Sequence, residues 1–416
     1  MPNENGLTHE KVLQRLHADI DMPSEIYEEI IEKYESISSW LDRPNSSISQ
    51  YDPMVAPQGS VRLGTANRPI AENDEYDVDL ICRLNASKYD FTQKSLKEAV
   101  GREIIAYATR NGMKKQPENK RRCWTLEYSN ARNFHVDVLP CIPDVESYRT
   151  RLKEAGYAQI ADNARVAQQA VAITDDTHER YAVISDDWPS SNPLGYAEWF
   201  KEQMAERVAA EKRALFEATR LYDHVEDIPD YKVKTTLQKA VQLLKRHRDS
   251  VFEDDPEHKP ISIIITTLAA RAYNNETTLV DAISNILEYF DEALQEIEGV
   301  VWVVNPVNPE ENFADKWEEM PEKAAAFRKW LAAARHDFGR YLNVLPPNEV
   351  PESLRARLGE TLVEKVMDSL QHRTSKIAAP AYVASQSTER AEAMVERVRE
   401  RGTGSAPWLG LLDRRG

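Results

Sequence analysis

The sequence predicts an α+β protein: a lobe built on a small mixed β-sheet, followed by a predominantly helical lobe. Three observations carry this. Between Tyr51 and about Pro143, runs with a period of two alternate with Pro/Gly-punctuated turns and one helical stretch. From Tyr196 onward, apolar residues recur mostly at helical spacing. A long amphipathic segment, SEIYEEIIEKYESISSWL, precedes both and is expected to bridge them. The expected divisions are 1–50 (helical, with the bridging helix), 51–195 (the sheet-bearing lobe), 196–345 (the helical lobe), 346–401 (further helices after a Pro-rich break) and 402–416 (a flexible tail).

The opening helix has Ser24 as its expected N-cap, with Ile26, Ile30, Ile31, Tyr34, Ile37, Trp40 and Leu41 at helical spacing. In the sheet lobe the expected strands are Tyr76–Cys82, Cys123–Tyr128 and Phe134–Leu139, with a helix from Gln93 to Asn111. Residues 144 to about 195 read as irregular. Helices are then expected at Tyr196–Asp223, Lys232–Asp249, Ile261–Tyr273, Leu279–Ile297 and Pro321–Leu342, and at about 352–372 and 388–401.

Bulk properties narrow the function. The chain has 416 residues, too many for one ordinary core. The N-terminus carries no signal-like h-region, and no run approaches the ~18–20 apolar residues that span a bilayer. Three cysteines (Cys82, Cys123, Cys141), an odd number without CxxC spacing, argue against disulfides or a thiolate zinc site and fit a reducing cytoplasm. A net charge of −16 disfavours a long nucleic-acid track, which needs a basic surface. Two basic clusters, Lys114–Arg122 and Lys245–Arg248, run against that trend and read either as solvated charge or as a short basic cleft.

The chemistry lies in three short segments. In Tyr76-Asp77-Val78-Asp79-Leu80, alternation sends Val78 and Leu80 to the core and sets Asp77 and Asp79 side by side on the other face. Two such carboxylates repel unless a proton, a cation or a metal offsets them. Phe134-His135-Val136-Asp137-Val138 repeats the pattern with Asp137. Three carboxylates on neighbouring strands would offer hard oxygen ligands suited to Mg²⁺. The DxD run alone fits equally well the wet face of a half-exposed sheet. The third segment, Gln58-Gly59-Ser60-Val61-Arg62, puts a glycine and a hydroxyl at the start of a short helix, where N–H groups favour a phosphate. A lone Gly-Ser also fits a tight turn. The three segments in this order are what make the pattern specific.

The set QGSVRLGT…YDVDLI…FHVDVLP resembles the GS…DxD…D signature of polymerase-β-like nucleotidyltransferases. Within them it is most similar to the bacterial CD-NTases, relatives of cyclic GMP-AMP synthase and 2′-5′-oligoadenylate synthase that make oligonucleotide signals in anti-phage (CBASS) systems. The resemblance runs over roughly residues 20–340 and includes LQKAVQLLKRH, Pro260-Ile261-Ser262 and NPVNPEENF in the helical lobe. It implies a Mg²⁺-dependent enzyme with two ions (Mn²⁺ able to substitute), joining NTPs, ATP among them, into a cyclic di- or trinucleotide. It implies that Asp77, Asp79 and Asp137 hold the metals and that Gly59 and Ser60 hold the donor phosphates. Lys245 and Ser262 would close on the triphosphate, and Asn312 would contact a nucleotide. Read from the residues alone, Lys245 also fits an exposed helix face and Ser262 an N-cap. Two CBASS-type regulators are compatible: a ubiquitin-like transferase acting on the C-terminal Gly416, or a HORMA-type activator. The other readings are a nucleotidyltransferase that modifies RNA or protein, and a non-catalytic nucleotide-binding protein.

Overall fold

In the computed structural model, residues 7–70, 75–129, 133–219 and 234–376 are described. Two helices precede the sheet, α1 (His9–Ile20) and α2 (Ser24–Leu41). Thr8 caps α1 by accepting from the Lys11 N–H at 3.2 Å. At α2 the capping position is Pro23, so Ser24 is the first helical residue and makes no cap bond. Ile26, Ile30, Tyr34, Ile37 and Leu41 form its buried stripe.

The sheet lobe comprises β1 (Met54–Pro57), α3 (Gly59–Leu63), β2 (Tyr76–Arg83), α4 (Gln93–Arg110), β3 (Glu118–Asn119), β4 (Trp124–Ser129) and β5 (Asn133–Pro143). Their order is β1-β2-β5-β4-β3. β2 and β5 are parallel, whereas the β1/β2, β5/β4 and β4/β3 pairs are antiparallel, so the sheet is mixed. β1 falls in the Pro/Gly-rich stretch that reads as a turn region. Proline at its last position is tolerated because β1 is an edge strand. α4 is the crossover between the parallel strands and packs on β4 and β5. Gly101 in mid-helix makes room for this: a Cβ there would come 2.2 Å from the Trp124 ring. The Trp124 indole N–H donates to the Lys97 carbonyl at 2.9 Å.

Residues 144–195 are more ordered than the sequence suggests. They form α5 (Val145–Glu154), α6 (Ala158–Asp162), α7 (Ala164–Ala167), β6 (Val171–Ile173) and β7 (Ser190–Ser191), with β6 extending the sheet from β5. These elements are too short to show a period; α5 buries only Tyr148 and Leu152.

The helical portion comprises α8 (Pro193–Gln203), α9 (Ala205–Thr219), α10 (Thr236–Val251), α11 (Ser262–Ala272) and α12 (Leu279–Tyr289). Two hairpins follow, β8 (Gln295–Ile297) with β9 (Val300–Trp302) and β10 (Val304–Asn305) with β11 (Asn308–Asn312). Then come α13 (Lys316–Glu319), α14 (Pro321–Asn343), α15 (Glu352–Leu358) and α16 (Glu360–Lys376). Three expectations are corrected. The helix expected from Tyr196 to Asp223 is two helices, interrupted at Met204, which has left the helical region. The helix expected to run to Ile297 ends at Tyr289. Glu298 and Gly299, with φ of 53° and 81°, turn a hairpin instead. The stretch at 352–372 is divided at Gly359, whose φ is 106°. The segments expected at 388–401 and 402–416, including Gly416, lie outside the described residues.

Leu7–Met367 is one compact unit. α10 lies at the centre of its helical part, packed on α1, α11, α12, α14 and α15. A capping box at Thr235 and Gln238 starts it. α2 lies against α4 and β1, and α1 against α10 and α12, so the N-terminal helices touch both parts.

Candidate active site

Along β2, Val78 and Leu80 are buried and Asp77 and Asp79 take the opposite face. Along β5, Val136 and Val138 are buried, which puts His135 and Asp137 on that same opposite face. The parallel register pairs Asp77 with His135 and Asp79 with Asp137. The three carboxylates therefore converge from adjacent strands on an open volume of about 420 Å³, also lined by Lys120, Cys123, Thr125 and His135.

The electrostatics follow from this crowding. Burial, then the charges of Asp137 and Asp77, push the Asp79 carboxyl up to about 6, with Lys245 opposing. A carboxylate so disfavoured by two like neighbours is a ready ligand for a hard divalent cation, and the all-oxygen donor set fits one. Among the described residues no three His, Cys, Asp or Glu side chains are placed, as they stand, to hold a metal ion by themselves. The carboxylates border an open space that a hydrated ion with substrate oxygens could fill.

Gly59 and Ser60 open α3 directly beside this cluster. The Gln58 N–H donates to the Asp79 carbonyl at 2.8 Å, which ties the turn to β2. Gly59 has φ +59°, and a Cβ on it would lie 2.4 Å from Asp79 Oδ2. The chain thus passes the carboxylate at a distance only glycine permits. Gly59, Ser60, Asp77 and Asp79 line a larger cleft of about 1100 Å³, whose far wall includes Lys245 and Ser262.

α10 supplies that wall and also holds the loop after α3. Gln238 Nε2 donates to the Leu63 carbonyl at 2.9 Å, Lys245 Nζ to Thr65 at 2.8 Å and Gln242 Nε2 to Ala66 at 2.7 Å. Just before α10, Lys234 Nζ reaches the Gly64 carbonyl at 2.8 Å. Gln242 Nε2 also donates to Asp21 at 2.8 Å, and Gln242 Oε1 pairs with His17 Nε2 at 2.8 Å. Because the Gln242 amide nitrogen is occupied as a donor, the His17 Nε2 carries the proton. Burial holds that imidazole down at about 4, so it is neutral at ordinary pH. The polar face of α10 is therefore packed against the 63–68 loop. Burial, then Arg248, lowers the Lys245 ammonium to about 8. Arg248, itself buried, donates to Ser262 Oγ at 2.9 Å and orients that hydroxyl at the start of α11.

The structure thus gathers Gly59, Ser60, Asp77, Asp79, Asp137, Lys245 and Ser262 around two adjoining volumes. It does not bring Asn312 there. Asn312 Oδ1 accepts from the Val303 and Ala314 N–H groups at 2.9 and 2.8 Å, and Nδ2 donates to Val301 at 3.2 Å. Its polar atoms lock the β10/β11 hairpin, and it lines neither volume. Of the first basic cluster, Arg121 and Arg122 both pair with Asp175, leaving Lys120 at the rim. Sequence reasoning missed Cys123, Thr125, Gln238, Gln242 and Arg248. Period-two alternation on β4 carried a signal for Thr125, which it sets on the face opposite buried Trp124 and Leu126.

Comparisons with known proteins identify the family and the fold. Residues 53–140 match the family model for the nucleotidyltransferase domain of cyclic GMP-AMP synthase DncV-like proteins. Over 292 residues the chain is 30% identical to a c-di-GMP synthase of Roseivirga ehrenbergii, covering 70% of this chain and 68% of that protein. The chain belongs to the DncV-like nucleotidyltransferases, the CD-NTases. Solved CD-NTases share its fold. CdnG of Bradyrhizobium diazoefficiens, in complex with GTP, superposes with a TM-score of 0.62 at 18% identity, over 87% of this chain and 99% of that one. CdnC of E. coli, in a complex with HORMA-deltaN, gives 0.56 at 12% identity, over 85% and 98%. As a CD-NTase the protein is a nucleotidyltransferase that makes cyclic oligonucleotides, in a family that works with divalent cations. Among the described residues no helix is long and apolar enough to cross a membrane.

Proposed function

We propose that this CD-NTase condenses two nucleoside triphosphates, GTP among them, into a cyclic dinucleotide signal of anti-phage defence, releasing pyrophosphate at each bond. The observation that carries this is the pairing of Asp79 with Asp137 beside the Gly59–Ser60 turn. The guanine preference rests on the c-di-GMP synthase relative and on CdnG having been solved with GTP.

The two volumes divide the work. Asp77 and Asp79 line both; Ser60, Lys245 and Ser262 line only the larger, and Asp137 only the smaller. The larger cleft, with Lys245, Arg246, Arg248, Lys259 and Lys323 on its walls, suits the donor triphosphate. The smaller suits the acceptor ribose. When bound between Asp77, Asp79 and Asp137, divalent cations would acidify the acceptor hydroxyl and neutralise the leaving pyrophosphate. Gly59 and Ser60 present backbone N–H and hydroxyl donors to the phosphates, and Lys245 and Ser262 reach them from the opposite wall. Asp137 orients the acceptor hydroxyl toward the α-phosphorus and takes up its proton, and a P–O bond forms there as the bond to pyrophosphate breaks. Repeating the step within the linear intermediate closes the ring. The protein contributes mainly positioning and fixed charge.

Incubating the enzyme with the four NTPs and Mg²⁺ or Mn²⁺, followed by mass spectrometry, tests this. A cyclic dinucleotide containing guanine supports it; label transferred to added RNA or to protein, with no small product, rejects it. Because the E. coli CdnC structure contains a HORMA protein, a HORMA-type activator belongs in a second arm of the assay.

A further inference from the structure

We infer that Thr125 is a positioning residue of the reaction that fixes the orientation in which the Asp137 carboxylate meets a divalent cation. This rests on the reading of Asp77, Asp79 and Asp137 as the metal-holding set.

On β4, Trp124 and Leu126 are buried in the core, so Thr125 between them faces the other way, into the site volume. The antiparallel register sets Thr125 directly opposite Asp137 on β5. Thr125 Oγ1 donates to Asp137 Oδ1. Thr125 is only 5% exposed, so water does not compete freely for the contact.

Such a contact is needed because the terminal torsion of an aspartate is broad and is not fixed by rotamer preference. Asp137 stands beside Asp79, whose charge would turn the carboxylate away. The hydroxyl holds Oδ1. An ionised carboxylate has about four lone-pair sites, so this one donor leaves acceptor capacity for a cation. The residue type is informative too. Threonine offers one donor on a β-branched stem that suits a strand, and a cationic donor there would neutralise the carboxylate it orients.

Partners that orient metal ligands from behind cost about 10–100-fold in metal affinity or activity when lost. The test is a Mn²⁺ titration followed by electron paramagnetic resonance, with the full-length enzyme and a non-hydrolysable GTP analogue, which reads binding without turnover. Thr125→Val keeps the shape and removes the hydroxyl; it should weaken Mn²⁺ binding about tenfold or more. Thr125→Ser should restore binding to within about twofold of wild type, which a packing role would not do, because the hydroxyl donor is retained. Asp137→Asn separates the two failures. If Asp137→Asn weakens Mn²⁺ binding and Thr125→Val does not, the role given to Thr125 is overturned. If neither does, the assignment of Asp137 to the metal is overturned. Should Thr125→Val fail to fold, Thr125→Ala takes its place with the same outcomes.

Discussion

The ammonium of Lys245 donates to the backbone carbonyl of Thr65 at 2.8 Å, so the side chain facing the proposed donor site also holds the loop that follows Ser60. One contact thus joins the two walls of the cleft. Lys245→Met should raise the KM for the donor NTP about tenfold or more, since hydrogen bonds from charged donors contribute about 1.5–3 kcal/mol. Steady-state kinetics check this; an unchanged KM would place the triphosphate elsewhere.

The same lysine and Asp79 set the pH dependence. Asp79 sits near 6 and Lys245 near 8, so activity at limiting Mg²⁺ should rise through the first and fall through the second. Stability should move differently. The Asp79 value is raised from 3.8, so between roughly that pH and 6 the native state binds the extra proton and stability falls as pH rises. The Lys245 value is lowered from 10.5, so between about 8 and 10.5 the unfolded state binds the extra proton and stability rises with pH. pH–rate and pH–melting profiles together read both signs.

Divalent cations should relieve the repulsion around Asp79. At pH 7.5 millimolar Mn²⁺ is expected to raise Tm by a few degrees, and at pH 5 by much less, because a proton then occupies the carboxylate. Equal shifts at both values, measured by scanning calorimetry, would speak against binding there.

Asp77→Asn with Asp79→Asn should lower pyrophosphate release on the order of a thousandfold or more. The fold should persist, with a Tm at or above wild type, since two mutually repelling charges are gone. Turnover near wild type would reject the metal assignment.

Gly59→Ala combines two penalties. The left-handed backbone disfavours a side chain by about 1–2 kcal/mol, and the new methyl would meet Asp79 Oδ2. Activity should fall about a hundredfold, more than the stability loss explains, because Asp79 must move. Circular dichroism alongside kinetics separates the two effects.

Parts of this site can be read from the sequence, and the reason is local. Asp77, Asp79 and Asp137 lie in contiguous period-two runs, so their common face follows from strand geometry. That Asp79 stands opposite Asp137 depends on a parallel crossover through α4, a long-range pairing that no local pattern encodes. The Lys245 face of α10 illustrates a different limit. Gln238, Gln242 and Lys245 look like a solvated stripe in the sequence, yet they are buried against the 63–68 loop. A polar face satisfied by carbonyls and one satisfied by water have the same composition. The β8/β9 hairpin was hidden because a single Gly299 is a weak turn signal beside apolar residues that also suit a helix.

The carbonyls of Leu63 to Ala66 find their partners on a helix made much later: Lys245 follows Thr65 by 180 residues. At roughly 5–20 residues per second a ribosome needs about ten to thirty-five seconds to cover that span. A nascent chain therefore carries its acidic strands and its Gly-Ser turn well before the wall that completes them. A fragment truncated before residue 234 should therefore make no product even with every aspartate in place, which mass spectrometry of its NTP reaction checks.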